Sequence, residues 1–119
     1  MQLPIVLKPP FLHDRAYCWR IKLPGEITWL ADTQQRQIMC PLVLFENLTP
    51  LGPAHRLHAD IAAVGAGQFS VWQNGSLYFS TSDNSDPNSN GRQYTLDFGE
   101  ARDVTVGPGP RSGPAISEV

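Results

Sequence analysis

Short strand-like runs separated by proline and glycine are the feature that most restricts the fold of this chain. Eleven prolines and ten glycines are spread over its 119 residues. Proline interrupts both helices and sheet ladders, and glycine favours turns, so this composition is typical of a turn-rich protein rather than of a helical bundle. About seven short strands at close spacing, with one short helix, predict an all-β, mainly antiparallel fold, either a β-sandwich or an open barrel.

Two segments carry the clearest strand patterns. In AYCWRIKL, residues 16–23, the two-residue period of a half-buried strand places on one face Tyr17, Trp19, Ile21 and Leu23. We expect it to form a hairpin with EITWLA, residues 26–31. In QFSVWQNGSLYFS, residues 68–80, Asn74 and Gly75 are expected to supply the two positive-φ positions of a tight turn. The arms of this second hairpin should share a buried face made of Phe69, Val71, Leu77 and Phe79.

The remaining elements complete a single domain. The apolar run 38–46 predicts a strand covered on both faces, in which Pro41 indicates a bulge or an edge. Residues 54–64 predict a short helix with Leu57, Ile61 and Val64 at helical spacing and Gly65 as its C-terminal cap. Residues 92–98 alternate as a returning strand. We expect one β-rich domain over residues 1–106 and a flexible Gly/Pro-rich tail or linker over residues 107–119.

Charge and cysteine content exclude some classes of function and leave others open. The formal net charge is −2 and the arginines are scattered, so a nucleic-acid partner is not expected. The longest apolar run near the N-terminus, Ile5–Leu7, is too short for a signal-peptide core or a membrane span, which predicts a cytoplasmic protein without a membrane partner. Cys18 and Cys40 are too few for a zinc site or a disulfide framework, which favours two buried free thiols and leaves a single bridge as the alternative.

The polar run STSDNSDPNSNGR, residues 80–92, follows the second hairpin and contains a partial calcium-loop pattern. Asp86, Asn88 and Asn90 occupy the first, third and fifth positions of that pattern, with Gly91 at the sixth and Asp97 at the twelfth. Alternate oxygens in such a turn can converge on a hard cation, which makes calcium the candidate cofactor. The competing interpretation, which is favoured, is a loop whose Asp, Asn and Ser side chains bond to their own backbone.

The same loop and its neighbours also suggest binding of a carbohydrate or another polar small molecule. Asn and Asp offer paired donors and acceptors to vicinal hydroxyl groups, and aromatic rings offer an apolar face with a polar tip. If Phe69 and Val71 face inward, Trp72 faces outward. The candidate ligand-binding residues are Asp83, Asn84, Arg92, Trp72, Tyr94 and His58.

An enzymatic alternative rests on His55, His58 and Asp60. Two histidines at i and i+3 share a helix face and resemble part of a metal or acid–base cluster, although a third metal ligand has to come from elsewhere in the fold. Asp83 or Asp86 would supply it if the helix and the loop meet. No nucleophile elbow or cysteine-protease signature accompanies them.

Residues 44–94, which include the string FSTSDNSDPNSNGRQY, resemble a small module that accompanies bacterial surface-polysaccharide glycosyltransferases and methyltransferases. The resemblance implies an accessory module beside a carbohydrate-active enzyme, and it assigns no catalytic residue. Together with the loop and its aromatic neighbours, it favours a non-catalytic module that binds a glycan or glycoconjugate. The alternatives are a small hydrolase or metal-assisted enzyme fragment using the histidine cluster, and a structural domain that forms a homodimer through an aromatic surface such as Trp29 or Trp72.

Overall fold

The computed structural model describes residues 3–25, 30–38 and 40–99 of the chain. Within these ranges the chain forms one α-helix and eight β-strands. In chain order the elements are β1 (Ile5–Leu7), β2 (Leu12–Arg15), β3 (Cys18–Lys22), β4 (Leu42–Glu46), β5 (Thr49–Pro50), α1 (His58–Ala63), β6 (Phe69–Trp72), β7 (Ser76–Phe79) and β8 (Tyr94–Phe98). The predicted tail, residues 107–119, lies outside the described residues.

The strands form two four-stranded sheets with the orders β1-β8-β4-β5 and β2-β3-β7-β6. Every pair of neighbouring strands is antiparallel. The sheets are not closed into a barrel. The prediction of a mainly antiparallel, all-β fold with one short helix is therefore confirmed, and of its two variants the structure has the sandwich.

The main hydrophobic core fills the space between the sheets. From β6 and β7 the pairs Phe69–Phe79 and Val71–Leu77 face inward, as the alternating pattern predicts. From the other sheet, Leu44 of β4 lies opposite Leu96 of β8 in the same core. These side chains are at most 2% exposed, so their burial, at about 25 cal/mol per Å² of apolar surface, is a main stabilising contribution to the fold.

The β6–β7 hairpin forms as predicted, but its turn differs. Trp72 pairs with Ser76, which leaves a three-residue loop, and the Gly75 amide donates to the Trp72 carbonyl oxygen over 2.9 Å. Only Gly75, with φ of +85°, has a positive φ; Asn74 does not. The loop is therefore the three-residue hairpin turn with glycine in the left-handed position, not the two-residue turn that the sequence suggests.

Strand β3 is at least partly covered on both faces, which the simple alternation pattern does not anticipate. Trp19 and Ile21 pack against the main core, as predicted. The opposite face is not solvated throughout, because Cys18 is fully buried under α1 beside Ile61. Tyr17, which was assigned to the inward face, precedes the strand and is 43% exposed. β3 pairs with β2 and β7; most of its predicted hairpin partner, residues 26–29, lies outside the described residues.

The helix is shorter than the pattern over residues 54–64 predicts. Leu57 is its N-cap residue in an extended conformation, so α1 begins at His58. Leu57 and Val64 are 68% and 56% exposed, so of the three residues at helical spacing only Ile61 is buried. Gly65 does follow the helix end with φ of +66°, and a Cβ there would collide with the Asn84 side chain, so glycine is required at this position.

The two cysteines are free and buried, which confirms the prediction. Burial raises the pKa of the Cys18 thiol to about 12 and that of the Cys40 thiol to about 11. Pro41 precedes β4 instead of interrupting it, and the register between β4 and β8 is unbroken. The predicted bulge or edge is thus replaced by a regular inner strand that starts after the proline.

Candidate functional site

The polar loop, residues 80–92, connects β7 of one sheet to β8 of the other. Its centre of attachment is Glu46, the last residue of β4, which continues the inward-facing series of that strand and is only 8% exposed. The Ser82 hydroxyl and amide donate to this carboxylate over 2.6 and 3.2 Å, and the Tyr94 hydroxyl donates to it over 2.7 Å. Arg92 adds a fourth, longer contact of 3.3 Å. The carboxylate therefore holds three separate points of the chain together.

The protonation state of Glu46 follows from these bonds. Burial by itself raises the pKa of this carboxyl group, but donors from Ser82 and Tyr94 and the charge of Arg92 outweigh it and lower the pKa below its ordinary value of 4.5. The same burial, together with the bond to Glu46, raises the pKa of Tyr94. Glu46 is thus ionised at neutral pH and acts as a permanent acceptor.

Asp83 and Arg92, both candidate ligand-binding residues, bind each other. The two guanidinium Nη groups donate to the two carboxylate oxygens over 2.9 Å each, and the Ser85 hydroxyl donates to Asp83 over 2.6 Å. The hydrogen bonds from Arg92 and Ser85 hold the pKa of Asp83 well below its usual range. This bidentate geometry directs both Nη groups of the guanidinium at that carboxylate.

The oxygens of the calcium pattern are also directed at the chain. Asp86 accepts from the Asn88 amide over 2.8 Å, and Asn90 accepts from the Arg92 amide over 3.0 Å. Asn88 binds the backbone of Phe11 with both ends of its amide, at 2.7 and 2.9 Å. No group of three or more His, Cys, Asp or Glu side chains in the described residues is arranged to hold a metal. Calcium binding stays a prediction, and an ion would have to compete with these bonds.

Two further candidate ligand residues in this region have structural positions. Asn84, with φ of +65°, accepts a hydrogen bond from the Ala66 amide over 2.8 Å and thereby ties the loop to the turn after α1. The Tyr94 ring is fully buried, in contact with Phe11 and Phe79, so it has no exposed face to offer a ligand. The favoured interpretation, a loop whose side chains bond to its own backbone, holds for Asp86 and Asn90, whereas Asn84 and Asn88 bond to backbone outside the loop.

The remaining two candidates, His58 and Trp72, meet elsewhere. They line a cavity of about 380 Å³ on the outer side of the β2-β3-β7-β6 sheet, beside α1. The other lining residues are Arg15, Arg56, Leu57 and Ala59. Its volume lies within the usual range of small-molecule pockets, about 300–1,000 Å³. This cavity is therefore the candidate functional site.

Aromatic contacts fix the back of the cavity. The His58 ring stacks on Tyr78 with centroids 3.7 Å apart and meets Trp72 edge-on at 5.8 Å. Burial lowers the pKa of His58; the nearby charges of Asp14 and Arg15 act in opposite directions. His58 is therefore neutral at pH 7 and offers the cavity one donor and one acceptor nitrogen.

The arginines of the cavity come from different parts of the chain. Arg15 ends β2, where the pairing with β3 shifts between His13 and Arg15. Such a bulge turns the following side chain in a new direction, a feature that alternation patterns do not reveal. Arg56 stands just before α1 and is 3.8 Å from Asp60. Sequence reasoning missed both arginines because neither belongs to a recognisable motif.

The residues of the enzymatic alternative have separate partners. His55 Nδ1 and Asp32 Oδ2 are 2.6 Å apart, Asp32 is 1% exposed, and its other oxygen accepts from the Cys40 amide over 2.7 Å. His58 stacks on Tyr78, and Asp60 faces Arg56. The His55–Asp32 pair was not predicted, since Asp32 lies in a polar loop with no local signal for it.

Comparison of this chain with known protein families, with curated proteins and with solved structures finds no match. The resemblance of residues 44–94 to a glycosyltransferase-associated module therefore stays an expectation. In the described part of the chain, no helix combines the length and the apolarity that crossing a bilayer requires. The chemistry of the cavity is the basis for a functional conclusion.

Proposed function

We propose that this protein is a non-catalytic binding module that holds a sugar residue of a glycan in the cavity lined by His58 and Trp72. The observation that carries the proposal is the cavity itself, in which an indole ring and Leu57 stand beside polar side chains. Sugar rings present apolar C–H faces and polar rims, and amphipathic aromatic side chains suit both. The polar loop has the second role of joining the sheets.

The proposed biological setting is that of an accessory module beside a carbohydrate-active enzyme in the cytoplasm. It rests on the resemblance of residues 44–94 and on the linker-like composition of residues 107–119. The contact of such a module with glycan is expected to be weak and partly mediated by water.

Proton NMR of the tryptophan indoles tests the proposal directly. In a titration with a panel of neutral and acidic mono- and oligosaccharides, we expect the indole N–H of Trp72 and the amides of residues 56–59 to shift in a saturable manner. Trp72→Ala should abolish the shifts of the amides, whereas Trp72→Phe should retain part of them. Asp83→Asn, in the polar loop, is the control and should leave binding unchanged. A panel that shifts none of these signals would refute the proposal.

A second candidate, acid–base catalysis, is favoured by the His55–Asp32 pair alone. A buried carboxylate orients the imidazole and leaves its Nε2 as a base, which is the arrangement of the histidine in hydrolytic triads. The hydrogen bonds of the described residues place no hydroxyl or thiol on that nitrogen. Turnover of chromogenic glycosides or esters that is lost in His55→Gln would support catalysis; turnover that persists in this variant would count against it.

A further inference from the structure

The side chains that line the cavity are rich in hydrogen-bond donors and poor in acceptors. Arg15 and Arg56 each carry five N–H donors and no acceptor, and the Trp72 indole nitrogen is a donor only. Neutral His58 adds one donor and one acceptor. None of the six lining residues is acidic or carries an amide or hydroxyl side chain. A neutral sugar presents hydroxyl groups that donate as well as accept hydrogen bonds. This lining offers few acceptors for the donated bonds, so a neutral sugar complements it poorly.

The two arginines are incompletely paired. Arg56 Nη2 is 3.8 Å from Asp60, and Arg15 Nε is 3.9 Å from Asp14, both beyond hydrogen-bond distance. Their side chains are 42% and 59% exposed, which makes each contact weak. Arg92 in the polar loop is the contrasting case, with two bonds of 2.9 Å to Asp83. Arg15 and Arg56 thus keep donors available that Arg92 has already used.

The fold brings these two cations to one cavity from distant positions in the chain. The register shift at the end of β2 displaces Arg15 from the regular alternation of that strand, and Arg56 is positioned by the turn before α1. Trp72 and Leu57 add apolar surface to the same lining. The cavity therefore combines a surface for a ring with donors for an anion.

We infer that the ligand of this cavity is an acidic sugar, whose carboxylate or phosphate is bound by Arg15 and Arg56 while its ring lies against Trp72. The inference rests on the proposed glycan-binding function and names its substrate class. An oxyanion offers acceptors only, which complements a lining of donors, and charge-assisted bonds to arginine are stronger than neutral ones.

The test compares matched ligands by isothermal titration calorimetry, with NMR for the weaker ones. The probes are glucuronate, its neutral amide, glucose, glucose 6-phosphate and inorganic phosphate. We expect glucuronate or glucose 6-phosphate to bind at least about tenfold more tightly than glucose, as one charged hydrogen bond predicts. A preference between these two identifies the anionic group as carboxylate or phosphate. Binding should weaken as salt is raised.

Single variants locate the anion. Arg15→Gln and Arg56→Gln should each lower the affinity for the acidic sugar about tenfold and leave the affinity for glucose nearly unchanged. Lys8→Gln, which removes the same charge outside the cavity lining, is the matched control and should bind as the wild type does. A loss of equal size in Lys8→Gln would mean that general charge is responsible, and the inference would be overturned.

The outcomes separate the inference from the function on which it rests. Equal affinity for glucuronate, its amide and glucose would overturn the acidic-sugar inference and leave the glycan-binding function standing. Inorganic phosphate binding as tightly as glucose 6-phosphate would show that the sugar ring contributes nothing, which overturns the glycan function but keeps an anion site. Absence of binding by every probe and by the wider glycan panel would overturn both.

Discussion

The polar loop 80–92 and the cavity beside α1 both contain arginine but use it differently. In the loop, arginine, serine and asparagine side chains are bonded to Glu46, to Asp83 or to backbone, at distances of 2.6–3.3 Å. In the cavity, the arginines stand 3.8–3.9 Å from their nearest carboxylates, and an indole ring lies at the wall. Polar side chains whose hydrogen bonds are made within the protein stabilise the fold, whereas incompletely paired side chains beside a cavity are available to a ligand.

The largest expected effect comes from the centre of the loop. Glu46→Ala removes the acceptor that binds Ser82, Tyr94 and Arg92, and it should lower the free energy of unfolding by about 3 kcal/mol, since breaking a buried charged network typically costs 3–5 kcal/mol. Urea denaturation measures the change, with an unaltered m-value as evidence that the mechanism is stability alone. Glu46→Gln keeps the size of the side chain and one acceptor oxygen, so its free energy of unfolding should lie between those of the wild type and Glu46→Ala. A loss below about 1 kcal/mol, the value of an ordinary net hydrogen bond, would show that the loop is not anchored here.

The two tyrosines of the two regions provide a matched pair. Tyr94→Phe deletes a buried hydroxyl that donates to Glu46 and accepts from Asn90, so we expect a loss of about 1–2 kcal/mol. Tyr78→Phe, beside the cavity, deletes a hydroxyl that accepts from the exposed Asn74 side chain and has no other partner among the described residues, so the loss should stay within about 0.5 kcal/mol. Equal losses in urea denaturation would remove the distinction between a structural loop and an open site.

Acid should weaken the contribution of Glu46 to the stability of the loop. The pKa of Glu46 is lower in the folded protein than its ordinary value of 4.5, so its stabilising contribution is fully present above that value and is lost as the pH falls through the folded pKa. Unfolding of the wild type and of Glu46→Gln between pH 7 and pH 3 tests this. The stability gap between them should be constant above about pH 5 and should narrow below about pH 4.5, near the unfolded value of a glutamate. Parallel curves over the whole range would contradict a depressed pKa.

The sequence predicts local features well because their causes are local. Alternation identified the inward faces of β6, β7 and β8, and Gly65 marked the end of α1. Composition also indicated the bonds of Asp86 and Asn90 to the backbone of their own loop. The predicted length of the hairpin turn was one residue too short, because Asn-Gly is compatible both with a two-residue turn and with the end of a three-residue loop.

Features that depend on distant pairs were not predictable in this way. Arg15 reaches the cavity through a shift in register with β3, and Asp32 meets His55 across the fold. In the sequence Glu46 is only the polar residue that ends an apolar strand, yet in the fold its carboxylate accepts from Ser82 and Tyr94. The sequence predicts Asp83 and Arg92 as ligand-binding residues because it cannot show whether an aspartate and an arginine are bonded to each other or are available to a ligand. Which of the two applies is decided by tertiary contacts alone.

The smallest expected effect on stability is at the cavity. Arg56→Gln removes an exposed i,i+4 contact to Asp60 and should change the free energy of unfolding by less than about 0.5 kcal/mol. Arg92→Gln makes the same substitution in the loop and should lower stability by more, because it removes the bidentate bond to Asp83 and the contact to Glu46. Both are measured by urea denaturation in one buffer. If Arg56 proved the more important of the two for folding, its donors would already be in use, and the argument that they await a ligand would fail.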